Sequence, residues 1–262
     1  MPDVTFLGTA AALPTADRGY TSLVISDGQM GMLVDCGTIV YQALLQANVP
    51  PDSITDLFIT HAHIDHIGGL PSLLECFRLS GRRVPLHLWA LPHTLEVADG
   101  LLRTFAFEIP LPLPYDLKIH RLEGDGALPA VGRAAFAFTP VHHSIPTAGL
   151  RLSFPRSNGS TWTVVYSSDT RPTSGLEAFA QDCDLLILEC TFLNSKSSAA
   201  ERVGHMTAGQ AGQLAQKARA KELALVHLGL YDGWNVDQAQ SEAAAAFSGK
   251  VILPADRDKL HF

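Results

Sequence analysis

The chain has 262 residues, 47% of them apolar, and a formal net charge of −7. That length suits one large α/β domain or two small ones. The charge excludes long-range attraction of polyanions by the whole molecule, so a nucleic acid would have to meet a local basic patch, and no apolar run approaches a membrane span.

Cys36, Cys76, Cys183 and Cys190 show no C-x-x-C spacing. They read as reduced, mostly buried thiols of a cytoplasmic protein. Met1-Pro2-Asp3 lacks the basic start of a signal peptide.

Val4 to Leu7 reads as an opening strand, followed by a small-residue loop, Gly8 to Thr15. Two strands follow, Thr21 to Ile25 and Met30 to Asp35, with Asp27-Gly28 as a tight turn between them. Tyr41 to Ala47 has helical character. Leu57-Phe58-Ile59 reads as a buried strand. It delivers the densest chemistry in the chain, Thr60-His61-Ala62-His63-Ile64-Asp65-His66-Ile67-Gly68-Gly69, ahead of a helix from Pro71 to Leu79. A strand-to-helix loop has no packing reason to be rich in histidine. His61 and His63 can turn toward one point, and Asp65 and His66 toward a second. Neutral imidazole and carboxylate are the ligands that zinc and similar divalent ions prefer. The two glycines are expected to let the backbone turn tightly beside the site.

Arg78, Arg82 and Arg83 read as a solvated cluster at the helix end. Leu86 to Trp89 alternates like a strand, and residues 92–105 are helical. Leu111-Pro112-Leu113-Pro114 cannot be a central strand and reads as a loop over a site mouth. His87, His93 and His120 have no ligand-like context and read as structural or surface residues.

Ala135 to Phe138 leads as a strand into Val141-His142-His143-Ser144-Ile145-Pro146. His143 is the stronger ligand candidate there and His142 the lesser. Gly149 to Asp169 reads as strand, Ser-Asn-Gly-Ser turn, strand, ending in Ser167-Ser168-Asp169-Thr170. A carboxylate at that point can offer one oxygen to each of two metals. Asp184 to Glu189 is a buried strand ending in an acid. Residues 193–204 are polar and read as a loop, before a helix opening at Gly204-His205-Met206-Thr207. Its apolar face is Ala211, Leu214, Ala215 and Ala218. Glu222 to His227 is a strand that His227 closes. A helix from Val236 to Phe247 and a strand from Val251 to Leu253 finish the pattern. Candidate ligands thus recur beyond strand ends, where ligand sites of open sheets gather. The strand-helix alternation is compatible with two similar halves.

H-x-H-x-D-H at His61 to His66 resembles the signature of the metallo-β-lactamase superfamily. The N-terminal F-L-G-T, P-T-x-x-R, T-S-L-V and V-D-C-G, then His143-Ser144-Ile145-Pro146, Ser168-Asp169-Thr170, Glu189-Cys190-Thr191-Phe192 and His205-Met206-Thr207, resemble its ribonuclease Z branch. Gly19 departs from that branch's Asn, and Met206 from its Ser. The resemblance implies a single domain over residues 1–262 with an αββα sandwich fold, two mixed β-sheets flanked by helices. It implies a dinuclear hydrolase holding two divalent ions, zinc first, with manganese or iron as alternatives. One ion takes His61, His63 and His143, the other Asp65, His66 and His227, and Asp169 bridges. Asp65, His205 and Glu189 are the implied catalytic groups: Asp65 orients the nucleophile, His205 protonates the leaving oxygen, and Glu189 orients His205.

The branch usually carries a long tRNA-gripping arm between the His-Ser-Ile-Pro and Asp-Thr motifs, and Gly149 to Asp169 has no room for one. The expected substrates are therefore small or flexible phosphodiesters or RNA 3′ ends, with no membrane partner and a homodimer compatible with the family. The alternative is a hydrolase of another ester, thioester or lactam on the same fold.

Overall fold

The computed structural model describes residues 2–105, 113–231 and 233–262. They form two units, each with its own mixed sheet. The first comprises Met1–Gly8, Asp17–Glu123 and Ala255–Phe262, and the second Thr9–Ala16 and Gly124–Pro254.

The first unit holds strands β1 (Asp3–Gly8), β2 (Ser22–Ser26), β3 (Gly31–Val34), β4 (Asp56–Ile59), β5 (Leu86–Ala90) and β6 (Leu117–Arg121), with β14 (Lys259–His261) from the C-terminus. They make one seven-stranded sheet in the order β14-β1-β2-β3-β4-β5-β6. Pairing is antiparallel from β14 to β3 and parallel from β3 to β6. Every residue of β4 is buried, which explains its unbroken apolar run: parallel strands are covered on both faces. Helices α1 (Val40–Gln46), α3 (Leu70–Leu79) and α4 (Pro92–Thr104) lie in this unit. Leu57, Ile59, Leu86 and Leu88 share one core with Leu73, Leu74, Phe77 and Leu102 of α3 and α4.

Arg82 corrects the reading of a solvated arginine cluster. It is fully buried. Its guanidinium donates to the carbonyl oxygens of Val84, Pro51, Ile54 and Pro85. It also lies over the Phe77 ring, 4.6 Å from the centroid. The planar, five-donor fork of arginine makes such a junction where a lysine could not. Residues 111 and 112 of the proline-rich segment lie outside the described residues.

The second unit holds β7 (Gly126–Val131), β8 (Ala134–Val141), β9 (Thr147–Pro155), β10 (Thr161–Tyr166), β11 (Leu185–Glu189), β12 (Glu222–Val226) and β13 (Lys250–Ile252). The order is β13-β12-β11-β10-β9-β8-β7. Pairing is parallel from β13 to β10 and antiparallel from β10 to β7. The two sheets thus repeat one plan, as the strand-helix alternation suggested. Helices α5 (Ser174–Phe179), α6 (Ser197–Val203), α7 (Ala208–Lys217) and α8 (Val236–Ala244) belong here.

A capping box between Thr207 and Gln210 starts α7. Its predicted face, Ala211, Leu214, Ala215 and Ala218, is buried against β11 and β12 residues. The loop expected over residues 193–204 is instead a short 3₁₀ turn followed by α6. Buried Ala200 anchors that helix, and Gly204 ends it in the left-handed conformation. The connection from Gly149 to Asp169 is the expected hairpin, β9 and β10 joined by a tight turn with Gly159 at φ 82°. Among the described residues, no helix is long and apolar enough to cross a membrane.

Candidate metal centre

In the first unit, β3 and β4 run parallel and end side by side. Asp35 follows β3, and Thr60 and His61 follow β4. The Asp35 carboxylate accepts from Thr60 N at 2.8 Å, Thr60 Oγ1 at 2.9 Å and His66 Nδ1 at 2.8 Å. Burial pushes its pKa up, against the pull of His66 and Thr60.

Because Thr60 Oγ1 gives its one proton to Asp35, it accepts from His61 Nδ1 at 2.9 Å. Both rings are therefore held as Nδ1–H tautomers, and their Nε2 atoms are acceptors. His66 Nε2 stands 3.5 Å from Asp65 Oδ2. His61 Nε2 stands 3.0 Å from His63 Nδ1. The four predicted residues of this loop are brought together, and where the sequence predicts only loop, a short helix, α2 (Ile64–Ile67), carries Asp65 and His66 on one turn.

Gly68 and Gly69 serve a different end from the tight turn expected of them. Neither has positive φ. A Cβ on Gly69 would come within 2.6 Å of the Gly37 carbonyl oxygen, and one on Gly37 within 2.1 Å of the Asp65 oxygen. These glycines let two backbones touch. Cys36 N donates to His66 O at 2.7 Å and Gly69 N to Cys36 O at 2.8 Å across that contact.

In the second unit, β10, β11 and β12 end on one edge and deliver Asp169, Glu189 and His227. His227 Nε2 is 3.1 Å from Asp169 Oδ2, and His143 Nε2 is 3.9 Å from the same oxygen. His143 Nδ1 donates to the Gly204 carbonyl at 3.0 Å, so its Nε2 is the acceptor. Burial pushes the His143 pKa down, which favours that neutral ring. His142 is exposed, and its backbone rather than its ring joins the network, through Thr170 and Arg171. His205 Nδ1 donates to Glu189 Oε1 at 2.7 Å, and its ring stacks on His227 with centroids 5.4 Å apart. Single ligand atoms of Asp169, His205 and His227 lie within 4.8 Å of one another.

At His61, His66, His143 and His205 the Nδ1 proton points to a protein acceptor, whereas His63 presents its Nδ1 to His61 Nε2. His227 Nδ1 lies 2.9 Å from the hydroxyl of Thr191, so His66 and His227 each set an acceptor nitrogen against a carboxylate oxygen. Two acceptors so placed repel unless a positive species joins them. Neutral imidazole with carboxylate is also the donor set of zinc, iron and manganese, and outer partners that fix the tautomer are the usual mark of such ligands. The residues fit a divalent metal.

Three of the nine non-glycine residues with positive φ among the described residues lie in or beside the cluster. Asp35 (φ 61°), Ser168 (φ 57°) and His227 (φ 54°) are all left-handed. Such conformations persist where the surroundings hold them, and they gather at functional sites.

The sequence reading assigned no role to Asp35, Thr60, Thr191 or Gly204. Asp35 carried a signal as an acid closing a strand before the Cys-Gly pair, and Thr191 as part of the Glu189-Cys190-Thr191-Phe192 motif. His87 and His120 pair with each other at 2.8 Å, away from these ligands, and Trp89 stacks on His120. They and exposed His93 hold no place in the cluster, as expected.

The model of the beta-lactamase superfamily domain matches residues 31–228. The ribonuclease Z of Methanothermobacter thermautotrophicus is 29% identical, over 87% of this chain and 87% of that one. The ribonuclease Z of Halorubrum lacusprofundi is 28% identical, over 97% and 95%. Among solved structures, the metallo-beta-lactamase fold protein YhfI from Bacillus subtilis superposes with a TM-score of 0.83 at 25% identity, covering 99% of this chain and 98% of that one. The short form of human tRNase Z does so with a TM-score of 0.79 at 25% identity, again over 99% and 98%.

Proposed function

The chain belongs to the beta-lactamase superfamily and is a metal-dependent hydrolase of the ribonuclease Z-like kind, and on that premise we propose that it is a dinuclear phosphodiesterase. Residues 1–262 act as one functional domain in this reading. His61, His63 and His143 serve one ion, Asp65, His66 and His227 the other, and Asp169 both. Zinc suits the donor set best, with manganese or iron as alternatives.

The observation that carries the reading is the inward-facing Nε2 beside a carboxylate oxygen, seen for His66 in one unit and His227 in the other. When bound, a metal pair supplies an acidified water and a clamp for phosphate oxygens. The rest falls to the chain itself. Asp65 orients the attacking water through its carboxylate. Glu189, fixed by Thr170 N at 2.9 Å and Thr191 N at 3.2 Å, holds His205 by Nδ1. Held by Nδ1–H on Glu189, the imidazolium form of His205 would give its Nε2 proton to the leaving oxygen and return to the neutral ring.

Small or flexible phosphodiesters and RNA 3′ ends are the proposed substrates. The relatives named ribonuclease Z support RNA. The tight β9–β10 hairpin and the charge of −7 argue against gripping a folded tRNA. The four cysteines are free thiols, which supports a cytoplasmic setting.

The test is one hydrolysis panel with zinc and with manganese: bis(p-nitrophenyl) phosphate, cyclic nucleotides, precursor tRNA, a thioester and a β-lactam. Turnover of the diesters with weak cleavage of precursor tRNA is expected. Turnover of only the thioester or lactam would overturn the phosphodiesterase reading, and efficient site-specific tRNA cleavage would overturn the substrate limit.

A further inference from the structure

One hydroxyl in the second unit meets three site residues. Thr191 follows β11, two residues after Glu189. Its Oγ1 lies 2.8 Å from Glu189 Oε2, 2.9 Å from His227 Nδ1 and 3.2 Å from His205 Nδ1. The His227 carbonyl oxygen is farther, at 3.3 Å.

A hydroxyl has one proton to give and two lone pairs to offer. Glu189 Oε2 is the nearest acceptor, and the hydroxyl donates its proton to it. The lone pairs then face the two rings. His227 Nδ1 must donate to Thr191, which leaves Nε2 as the acceptor 3.1 Å from Asp169 Oδ2. His205 Nδ1 has its main acceptor in Glu189 Oε1 at 2.7 Å, with Thr191 as the longer second.

The backbone of Thr191 is clamped in place. A Cβ on Gly229 would sit 2.0 Å from the Thr191 carbonyl oxygen, so the chain after His227 packs directly on it. Cys190 N donates to Val226 O at 2.8 Å on the other side. The hydroxyl is thus held at a point between the ends of β11 and β12.

We propose that Thr191 is a positioning residue which fixes the Nδ1–H tautomer of His227 and ties that ring, through Glu189, to the one that bears His205. The inference rests on the metal reading above. It adds that the affinity for one ion depends on a hydroxyl that touches no ion. Outer partners of ligating histidines commonly contribute about 10- to 100-fold to metal affinity. Without the hydroxyl, His227 Nδ1–H loses the acceptor that stands 2.9 Å away. The ring then gains by moving its proton to Nε2, toward Asp169, where it opposes a cation.

The test is a zinc titration of the full chain against a chromophoric chelator. Thr191→Val matches the side chain in shape, and Thr191→Ala serves as the second hydroxyl-free variant should Val misfold. Circular dichroism and the melting temperature check the fold. One of the two zinc affinities should fall by about 10- to 100-fold in the hydroxyl-free variant. Thr191→Ser should restore it to near the wild-type value. The same loss should persist in a His205→Ala background, because it acts through His227. Zinc affinity within about twofold of wild type in a folded hydroxyl-free variant, or no rescue by Ser, would overturn the inference. A wild-type chain that binds no zinc, manganese or iron would instead overturn the metal reading itself.

Discussion

His205 and Glu189 form a 2.7 Å hydrogen bond, ring Nδ1 to carboxylate Oε1, with the glutamate fully buried and the histidine ring partly exposed. The carboxylate fixes the ring through Nδ1. Removing the ring should therefore remove proton delivery without removing the metals. In His205→Ala, turnover of diesters with poor leaving groups should fall by about 100- to 10,000-fold, with metal content unchanged. The loss should shrink for p-nitrophenolate, which departs without a proton. Equal losses across a leaving-group series would take His205 out of the acid role.

Asp169 Oδ2 stands close to both His227 Nε2 and His143 Nε2, at 3.1 and 3.9 Å. A carboxylate shared in this way should govern the second ion. Asp169→Ala should bind about half the metal of the wild type and lose nearly all diester hydrolysis. Elemental analysis of the purified variant decides it: full dinuclear occupancy would contradict the bridging assignment.

Arg82 is a matter of stability rather than chemistry. Arg82→Met keeps the apolar stem but strands the Val84, Pro51, Ile54 and Pro85 carbonyls that the guanidinium now bonds. Buried acceptors left without a donor cost about 1–3 kcal/mol each. Partial access of water lowers the sum, and a loss of about 2–4 kcal/mol is expected. Arg82→Lys should recover little of it, since an ammonium cannot reach four divergent acceptors. Urea midpoints of the three proteins measure the effect.

Asp3 sets a pH dependence at the chain termini. Burial alone would raise its pKa, but hydrogen bonds from Lys259 and His261 on the paired strand outweigh it and hold the carboxyl below its ordinary value of 3.8. A depressed carboxyl stabilises the folded state above its unfolded pKa. That contribution fades as pH falls below 3.8 and through the folded value. Asp3→Asn should thus melt slightly below wild type at pH 7, by the equivalent of about 0.5 kcal/mol for a partly exposed pair. The gap should close in acid, near pH 3 and below. A gap that widened in acid would reverse the sign argued here.

Much of the site was legible in residue order. His61, His63, Asp65 and His66 stand within six positions after an apolar strand, and that spacing needs little beyond the strand end to bring the side chains together. His143, Asp169, Glu189 and His227 were legible for a related reason: each ends or follows a strand, and β8 to β12 neighbour one another in sequence order. The strand-turn-strand reading of Gly149 to Asp169 also held, because Gly159 marks a turn that only glycine adopts easily.

Other features came only with the tertiary structure, because they depend on contacts distant in sequence. Arg82 looks like any surface arginine until the carbonyls of Pro51 and Ile54 converge on it from about thirty residues away. The helical turn at Ser197–Val203 is polar in sequence and is held by one buried alanine and a left-handed glycine. The choice of His143 over His142 follows from strand phase: one ring points to Gly204 and Asp169, and its neighbour points to solvent. The tautomers of His61, His66, His143 and His227 were beyond reach of the sequence for the same reason. Each is set by the atom behind the ring, and for His61 alone is that atom on an adjacent residue. The residue types offered at each strand end are a local property of the chain, whereas the nitrogen that carries each ring's proton is decided by the fold.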